Sequence, residues 1–275
     1  MKNITVIYFG DYSQQEEETL NGLGLTTIRV ENSFALIQTI PKQIENKLAL
    51  VRGARMKMDE YEKMNSDLLS LNFTLINTPD LFILHGSFEL YYSMVKMFSP
   101  KSIFFKRGSA TSSIQTEITS SNLSTPLFVR SEIESAAKYV GIEGCLIQIN
   151  SDSEISKCIS NLENNIKGYQ SIIIKEVVEI KKSSSGKNLE YRAIVINDKI
   201  VSFDYDSAKL PLPTESKIAD EAKNIINTIF KNGFKGAYFM DFALTENDQV
   251  IIVESKDILN GTIKDVTAFG KGLFN

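Results

Sequence analysis

The feature that most constrains the fold of this chain is a change of rhythm near residue 100. Before it, the short apolar runs ITVIYF (4–9), TTIRV (26–30), LALV (48–51) and FTLI (73–76) alternate with amphipathic stretches. The clearest such stretch runs from Asp59 to Leu71, where Tyr61, Met64, Leu68 and Leu71 recur three and four residues apart and predict a helix. Strands that alternate with helices need crossover connections, which implies a mostly parallel sheet. Phe88 to Phe98 reads as a further helix, stopped at Ser99-Pro100. Residues 107–126, rich in Ser and Thr and poor in apolar periodicity, read as a long loop, which sets a domain boundary near 100. Beyond it the strands crowd together: SIIIKEVV (171–178), EYRAIVI (190–196), KIVSFDY (199–205), GAYFMDFAL (236–244) and QVIIVES (249–255), with one helix from about Thr214 to Phe230. Neighbouring strands joined by Asn-Asp turns predict antiparallel hairpins, so this half reads as α+β.

Composition removes several function classes. With 275 residues, 43% of them hydrophobic and 23% charged, the chain is long and apolar enough to bury a substantial core. Thirty Lys and Arg against 34 Asp and Glu leave a net charge of −4, which weighs against a dedicated nucleic-acid binder. Cys145, Cys158 and the single histidine, His85, are too few for a zinc site in one chain. MKNITVIYFG is followed by Asp11 and Glu16 to Glu18 and reads as a first strand, not a signal peptide. No apolar run approaches the ~20 residues of a spanning helix, so no membrane partner is expected and a reducing, cytoplasmic setting is the default. His85, beside Gly86, reads as a turn residue; Gly22 and Gly24 are too sparse for a dinucleotide fingerprint, and Ser183 to Gly186 reads as a flexible loop. Oligomeric state is not legible.

The last hairpin is the most informative segment. If Asn247-Asp248 is a two-residue turn, Glu246 lies opposite Gln249, Leu244 opposite Ile251, Phe242 opposite Val253 and Asp241 opposite Glu254. The period of two then gives one apolar face and places both carboxylates on the other. Directly opposed like charges destabilise a sheet unless a cation lies between them. Mg²⁺, which takes one or two carboxylates together with phosphate oxygens and water, suits such a pair. Asp257, where the strand ends, is a third candidate ligand. The plainer alternative is that Asp241 and Glu254 face solvent and are neutralised by Lys256 or other lysines.

Cations gather on the other strand candidates. A turn at Asn197-Asp198 places Glu190 and Arg192 on one face, two positions apart; the pair either neutralises itself or offers an arginine fork to phosphate. PLFVRSEIESAAK (126–138) carries Arg130 at a strand end and Lys138 eight residues on, and SIIIKEVV carries Lys175 and Glu176. Each is compatible with an ordinary surface charge. Together they supply cations and carboxylates, the two complements that a Mg²⁺-triphosphate needs.

In this order the segments resemble the ATP-grasp superfamily, in particular the clade named for one arginine and two lysines. The residues that carry the resemblance are PLFVR (126–130) with Lys138, IIIKEVVEI (172–180), LEYRAIVINDKIV (189–201) and FMDFALTENDQVIIVESKD (239–257), with YYSMVKMFSPKSIFF (91–105) as the entry to the central domain. The ordered set spans about 126–261. The resemblance implies an N-terminal α/β domain over 1–100 and an ATP-grasp-like domain over 101–275. The latter has two subdomains with antiparallel sheets, about 101–178 and 179–275, that hold the nucleotide between them.

It also implies roles. Arg130 and Lys138 match the two nucleotide lysines. Lys175, Glu176, Val177 and Val178 match the linker that contacts adenine, and Glu190 and Arg192 the acidic-x-arginine strand. Asp241, Glu254 and Asp257 match the Mg²⁺ carboxylates, and Arg192 and Arg130 are the expected catalytic cations. Three departures stand out: Arg130 in place of a lysine, Lys256 where many members have Asn or Gly, and an acceptor-side segment reduced to Asn260-Gly261. The implied activity is an ATP- and Mg²⁺-dependent carboxylate-amine ligase that forms an acyl phosphate and then an amide or peptide bond. Its substrates would be a small carboxylate or peptide and an amine. The rival readings are a nucleotide-binding regulatory module without ligase activity and an α/β protein that binds a small molecule through its N-terminal half.

Overall fold

The structure, a computed structural model, describes residues 4–10, 13–30, 48–53, 56–132, 136–204, 216–259 and 261–274. These form two compact units: residues 1–86 together with 180–275, and residues 87–179. In contacts, therefore, the two ends of the chain belong together, whereas the linear division expected from the sequence separates them near 100.

The first unit holds two sheets. Strands β1 (Ile4–Phe9), β2 (Thr27–Val30), β3 (Leu48–Gly53) and β4 (Thr74–Leu75) form a parallel sheet in the order β2-β1-β3-β4. All six residues of β1 are buried, as befits a parallel strand covered on both faces. Ile7 and Phe9 pack with Tyr61, Met64 and Leu68 of the helix Met58–Ser70, the apolar stripe expected there. Ile4, Val6 and Tyr8 turn the other way and share a core with Ile194, Ile196, Phe239, Phe269 and Leu273, far along the chain.

Those partners come from the second sheet of the unit and from the helix Val266–Phe274. The sheet is antiparallel, in the order β10-β9-β11-β12, with β9 at Glu190–Ile196, β10 at Lys199–Asp204, β11 at Ala237–Leu244 and β12 at Val250–Asp257. The helix Lys217–Lys231, capped by Ser216, buries Ala219, Ala222, Ile225, Ile226 and Ile229 and packs on β10 and β12. Its expected start, Thr214, lies outside the described residues, as does Tyr205 at the expected end of β10.

Residues 87–179 form the second unit around the sheet β5-β8-β6-β7, whose long pairings are antiparallel: β5 (Ser102–Lys106), β6 (Leu127–Ser131), β7 (Leu146–Ile147) and β8 (Ser171–Glu176). Two expectations are corrected here. Residues 107–126 are not one long loop, because a helix occupies Thr111–Ser120 and buries Ile114 and Ile118, an i,i+4 pair too short to show as periodicity in a Ser/Thr-rich stretch. The helix Asp152–Asn165, capped by Ser151, buries Ile155, Cys158 and Leu162 against the sheet and was not anticipated. The helix from Phe88 also ends sooner than expected, at Val95.

A buried ion pair joins the first sheet to the end of β12. The Arg52 guanidinium donates to both Glu16 oxygens at 2.9 Å, to the Gly261 carbonyl at 2.7 Å and to the Ile258 carbonyl. Tyr8 donates its hydroxyl to Glu16 at 3.0 Å, and burial beside that carboxylate drives the phenol pKa far up. Asn77 adds a second tie: its Oδ1 accepts from Ala237 N at 2.6 Å, and its Nδ2 donates to Ala237 O at 2.7 Å and to Asp257 Oδ2 at 2.9 Å. Removing one member of a buried pair strands the other charge, which costs about 3–5 kcal/mol. Arg52→Met should therefore destabilise the chain by about that amount in urea unfolding; a loss within the scatter of surface substitutions would show that the pair does not tie the segments together.

Two buried titratable groups give the stability opposite pH slopes. His85 is a helix residue and not the expected turn residue: it lies in Pro79–Gly86, stacked on Tyr238, with its Nε2–H donating to Lys235 O at 2.7 Å. Burial pushes its pKa from 6.5 down to about 4, so its contribution is full above 6.5 and is lost as pH falls toward 4. Burial pushes Asp257 up from 3.8 to about 6, so its contribution is full below 3.8 and is lost as pH rises toward 6. Across the shared window the two slopes oppose each other. Asp257→Asn should therefore lose stability more steeply than the wild type as pH falls from 6 to 4, measured by urea unfolding at each pH.

Candidate functional site

The last hairpin reaches the expected pairing by an unexpected route. Its loop has three residues, Glu246 to Asp248, not two: Thr245 N donates to Gln249 O at 2.9 Å, Asp248 N donates to Thr245 O at 3.0 Å, and Asp248 takes φ 59°. Leu244 therefore faces Val250 and Phe242 faces Ile252, one position off the expected register. A bulge at Val253 then restores the offset, and Asp241 stands directly opposite Glu254. The preceding turn is the expected Asn197-Asp198, with Lys199 opposite Ile196, Ile200 opposite Val195 and a bulge after Ile200.

Together these registers set a row of charges across the sheet. Asp204, Arg192, Asp241 and Glu254 are successive partners on β10, β9, β11 and β12. Residues opposite each other in a ladder share a face, and on this face the row continues the apolar surface of Ile194, Ile196 and Phe239. Arg192 donates Nε to Asp241 Oδ1 at 2.7 Å and a terminal amine to Oδ2 at 2.9 Å, the two-pronged geometry that arginine favours. Its guanidinium also lies over the Phe239 ring, 5.4 Å from the centroid. Lys256, two residues after Glu254, places Nζ 2.9 Å from Glu254 Oε2. At the inner end of the row, Asp204 Oδ1 accepts from Lys264 N at 2.8 Å and Asp265 N at 3.1 Å, ahead of the last helix.

The structure brings Arg192, Asp241 and Glu254 together and leaves Asp257 apart. Asp257 is opposite Tyr238, three residues from Glu254 and so on the other face by the period of two. Its oxygens accept from Asn77 Nδ2 at 2.9 Å and Leu259 N at 2.5 Å. Glu190 shares the face of Arg192, opposite Ala243, and accepts from Asn188 Nδ2 at 3.2 Å. Asn260 lies outside the described residues. Gly261 is held against the ring of Phe239, where a Cβ would fall 2.0 Å from the nearest ring carbon, so only glycine fits.

In the second unit, Arg130 on β6 faces Ile173 on β8, and Lys175 on β8 faces Phe128 on β6, which puts both cations on one face of that sheet. Arg130 Nε donates to Ser131 O at 3.0 Å. Lys106 on β5 shares that face through its pairing with Ser171. It was not among the expected residues, although continuing the alternation of SIFF by two positions finds it. Lys138 lies in the short helix Ala137–Val140, and its side chain is outside the described residues. At the end of β8, Glu176 Oε1 accepts from Ser124 N at 3.1 Å, and just beyond it Val177 N donates to Pro126 O at 3.2 Å. Val177 is exposed and Val178 half-buried, so this stretch presents an open apolar edge.

A Mg²⁺ ion held with phosphate needs one or two carboxylates, the donor set that Asp241 and Glu254 supply. Among the described residues no group of three or more His, Cys, Asp and Glu side chains converges to hold a metal. The pair therefore fits a cation that completes its coordination with phosphate and water, and does not fit an all-protein cage. No helix among the described residues is long and apolar enough to cross a membrane.

No protein-family model matches the chain, and no curated protein matches its sequence. Solved structures do match in three dimensions. The D-cycloserine synthetase DcsG aligns over 98% of both chains at 10% identity with a TM-score of 0.63. The VanG D-Ala:D-Ser ligase from Enterococcus faecalis covers 100% of this chain and 98% of its own, at 12% identity and a TM-score of 0.60. A RimK domain ATP-grasp protein from Sphaerobacter thermophilus covers 98% of both, at 12% identity and a TM-score of 0.60. With a parallel sheet followed by two antiparallel ones, and likenesses that run the length of the chain, this protein has the ATP-grasp fold.

Proposed function

We propose that the chain is an ATP- and Mg²⁺-dependent carboxylate-amine ligase, acting on a small carboxylate or peptide and an amine. The observation that carries this reading is the in-register row of Arg192, Asp241 and Glu254 on one sheet face of a fold shared with the synthetase and the ligase above. In the proposed domain division, an N-terminal domain over 1–100 precedes an ATP-grasp domain over 101–275 with subdomains near 101–178 and 179–275. Arg130, Lys138, Lys175 to Val178, Glu190 and Arg192 are the proposed nucleotide residues. The free, buried thiols Cys145 and Cys158 suit the cytoplasmic setting included in the proposal.

The chemistry divides into two displacements. A substrate carboxylate oxygen attacks the γ-phosphorus and ADP leaves; the amine then attacks the acyl carbon and phosphate leaves. Such steps need little covalent help from a protein, which positions the groups and neutralises charge. Asp241 and Glu254 would hold Mg²⁺, which would supply positive charge against that of the phosphates. Arg192, fixed by the Asp241 carboxylate and backed by Phe239, is already oriented and loses little freedom on meeting a phosphate oxygen. Arg130 and Lys175, on one face of their own sheet, are the further cations proposed to act on the transferring group.

The second reading, a nucleotide-binding module without ligase activity, is favoured by one observation. Both carboxylates already hold cations from the chain, Arg192 and Lys256. The two readings separate in one experiment. Under the ligase reading, Mg²⁺-ATP at about 100 times its dissociation constant stabilises the chain by about 2.7 kcal/mol, a melting shift on the order of 5 °C. GTP gives less, and ADP is released with an accepted carboxylate and amine. Asp241→Asn, which keeps the shape and removes the charge, should abolish ADP release. ADP release unchanged in that variant would remove Asp241 from the site, and a melting shift with no ADP release from any pair would favour the silent module.

A further inference from the structure

The charged side chains on this face differ in exposure. The side chains of Asp241, Arg192, Glu254 and Lys256 are 4%, 13%, 22% and 53% exposed. Lys256 is thus the outermost charge, on an edge strand, and a pair so exposed contributes little to stability. Its effect is on what approaches. Arg192 and Lys256 each pair with a carboxylate, Asp241 and Glu254, on a face that also carries Asp204 and Glu190. The ammonium lies 2.9 Å from Glu254 Oε2 and so occupies one oxygen of that carboxylate.

We infer that Lys256 is the resident cation of this site, filling the side of Glu254 that a second divalent cation would otherwise share, so that the chain takes a nucleoside triphosphate with a single divalent cation. This rests on the nucleotide reading above. It adds that metal without nucleotide binds poorly because Arg192 and Lys256 already pair with the two carboxylates that would hold it. A compact, strongly hydrated ammonium is a fair substitute for a metal's charge and a poor one for its coordination. One oxygen of Glu254 is therefore taken by Lys256, while its other oxygen, Asp241 and the phosphates supply the donors for one ion.

The test counts Mn²⁺ ions by the electron paramagnetic resonance signal of free Mn²⁺, with a non-hydrolysable ATP analogue and without it, on the full chain. Wild type and Lys256→Arg should each bind one Mn²⁺ per chain with the analogue, and Lys256→Asn, which exchanges the cation for an oxygen donor, should bind two. Without nucleotide, Lys256→Asn should bind Mn²⁺ at least tenfold more tightly than the wild type. Lys256→Met, which removes the charge and adds no donor, serves if the Asn variant melts early, and should show the same tightening in smaller degree. Two Mn²⁺ on the wild type, or equal counts and affinities in all variants, would overturn the inference while leaving nucleotide binding intact. Failure of the wild type to bind the analogue at all is a different result and brings down the nucleotide reading itself.

Discussion

Everything placed on the second sheet of the first unit depends on a buried arginine in the first sheet. Arg52 reaches across to the carbonyls of Ile258 and Gly261, while Glu16 takes its charge. A guanidinium with four buried acceptors is a stable arrangement only when all of them are present, because each loss leaves a charge in a medium that solvates it poorly. The segment just past β12 is thereby fixed to residues 16 and 52, some two hundred positions away in the chain. Asn77 does the same for the start of β11, pairing with both backbone groups of Ala237. Apolar packing of Ile4, Val6 and Tyr8 on Ile194 and Phe239 provides the bulk of the association. The polar ties add direction, since hydrophobic contact alone is not selective in register.

That fixing has a consequence for chemistry. β11 and β12 are anchored at the end where Ala237 and Asp257 lie and hold the charged row further along. Asp241 is then buried beside the Arg192 guanidinium, and Arg192 is held on two sides by a carboxylate and an aromatic ring. In the proposed role on phosphate, Arg192 has its conformational freedom restricted beforehand by Asp241.

Much of this was legible in the sequence, and the reasons differ by element. The strands of the second sheet were readable because the period of two and the Asn-Asp turns are strong local signals; β9 falls on the expected residues 190–196. Asp241 opposite Glu254 was reached through two errors of one residue that cancel, a loop longer than expected and a bulge at Val253. Neither is encoded by hydrophobic pattern, since a bulge depends on backbone twist and on what the neighbouring strand demands. Asp257 shows the converse. Its position three residues from Glu254 already placed it on the opposite face, and the period that identified the pair also excluded the third member. The shared unit of residues 1–86 and 180–275 was not legible at all, because it rests on contacts between distant segments that no local pattern announces. His85 failed for the same reason: its burial comes from Phe234 and Tyr238.

Asp241 and Asp257 put the same chemical group to two uses on one pair of strands. Asp257 sits where water is excluded and the compensating groups are amides, Asn77 and the Leu259 N–H. Hydrogen bonds to neutral donors only partly offset the desolvation, and the acid's pKa rises to about 6. Asp241 is less exposed than Asp257 and faces a guanidinium, a full and permanent positive charge, through two bonds. The protein has thus placed its strongest compensation beneath the carboxylate on the face that also bears Glu254 and Lys256, and left the structural carboxylate to amides. The two carboxylates thus differ in partner, one held by neutral amides and the other, at the proposed site, by a guanidinium.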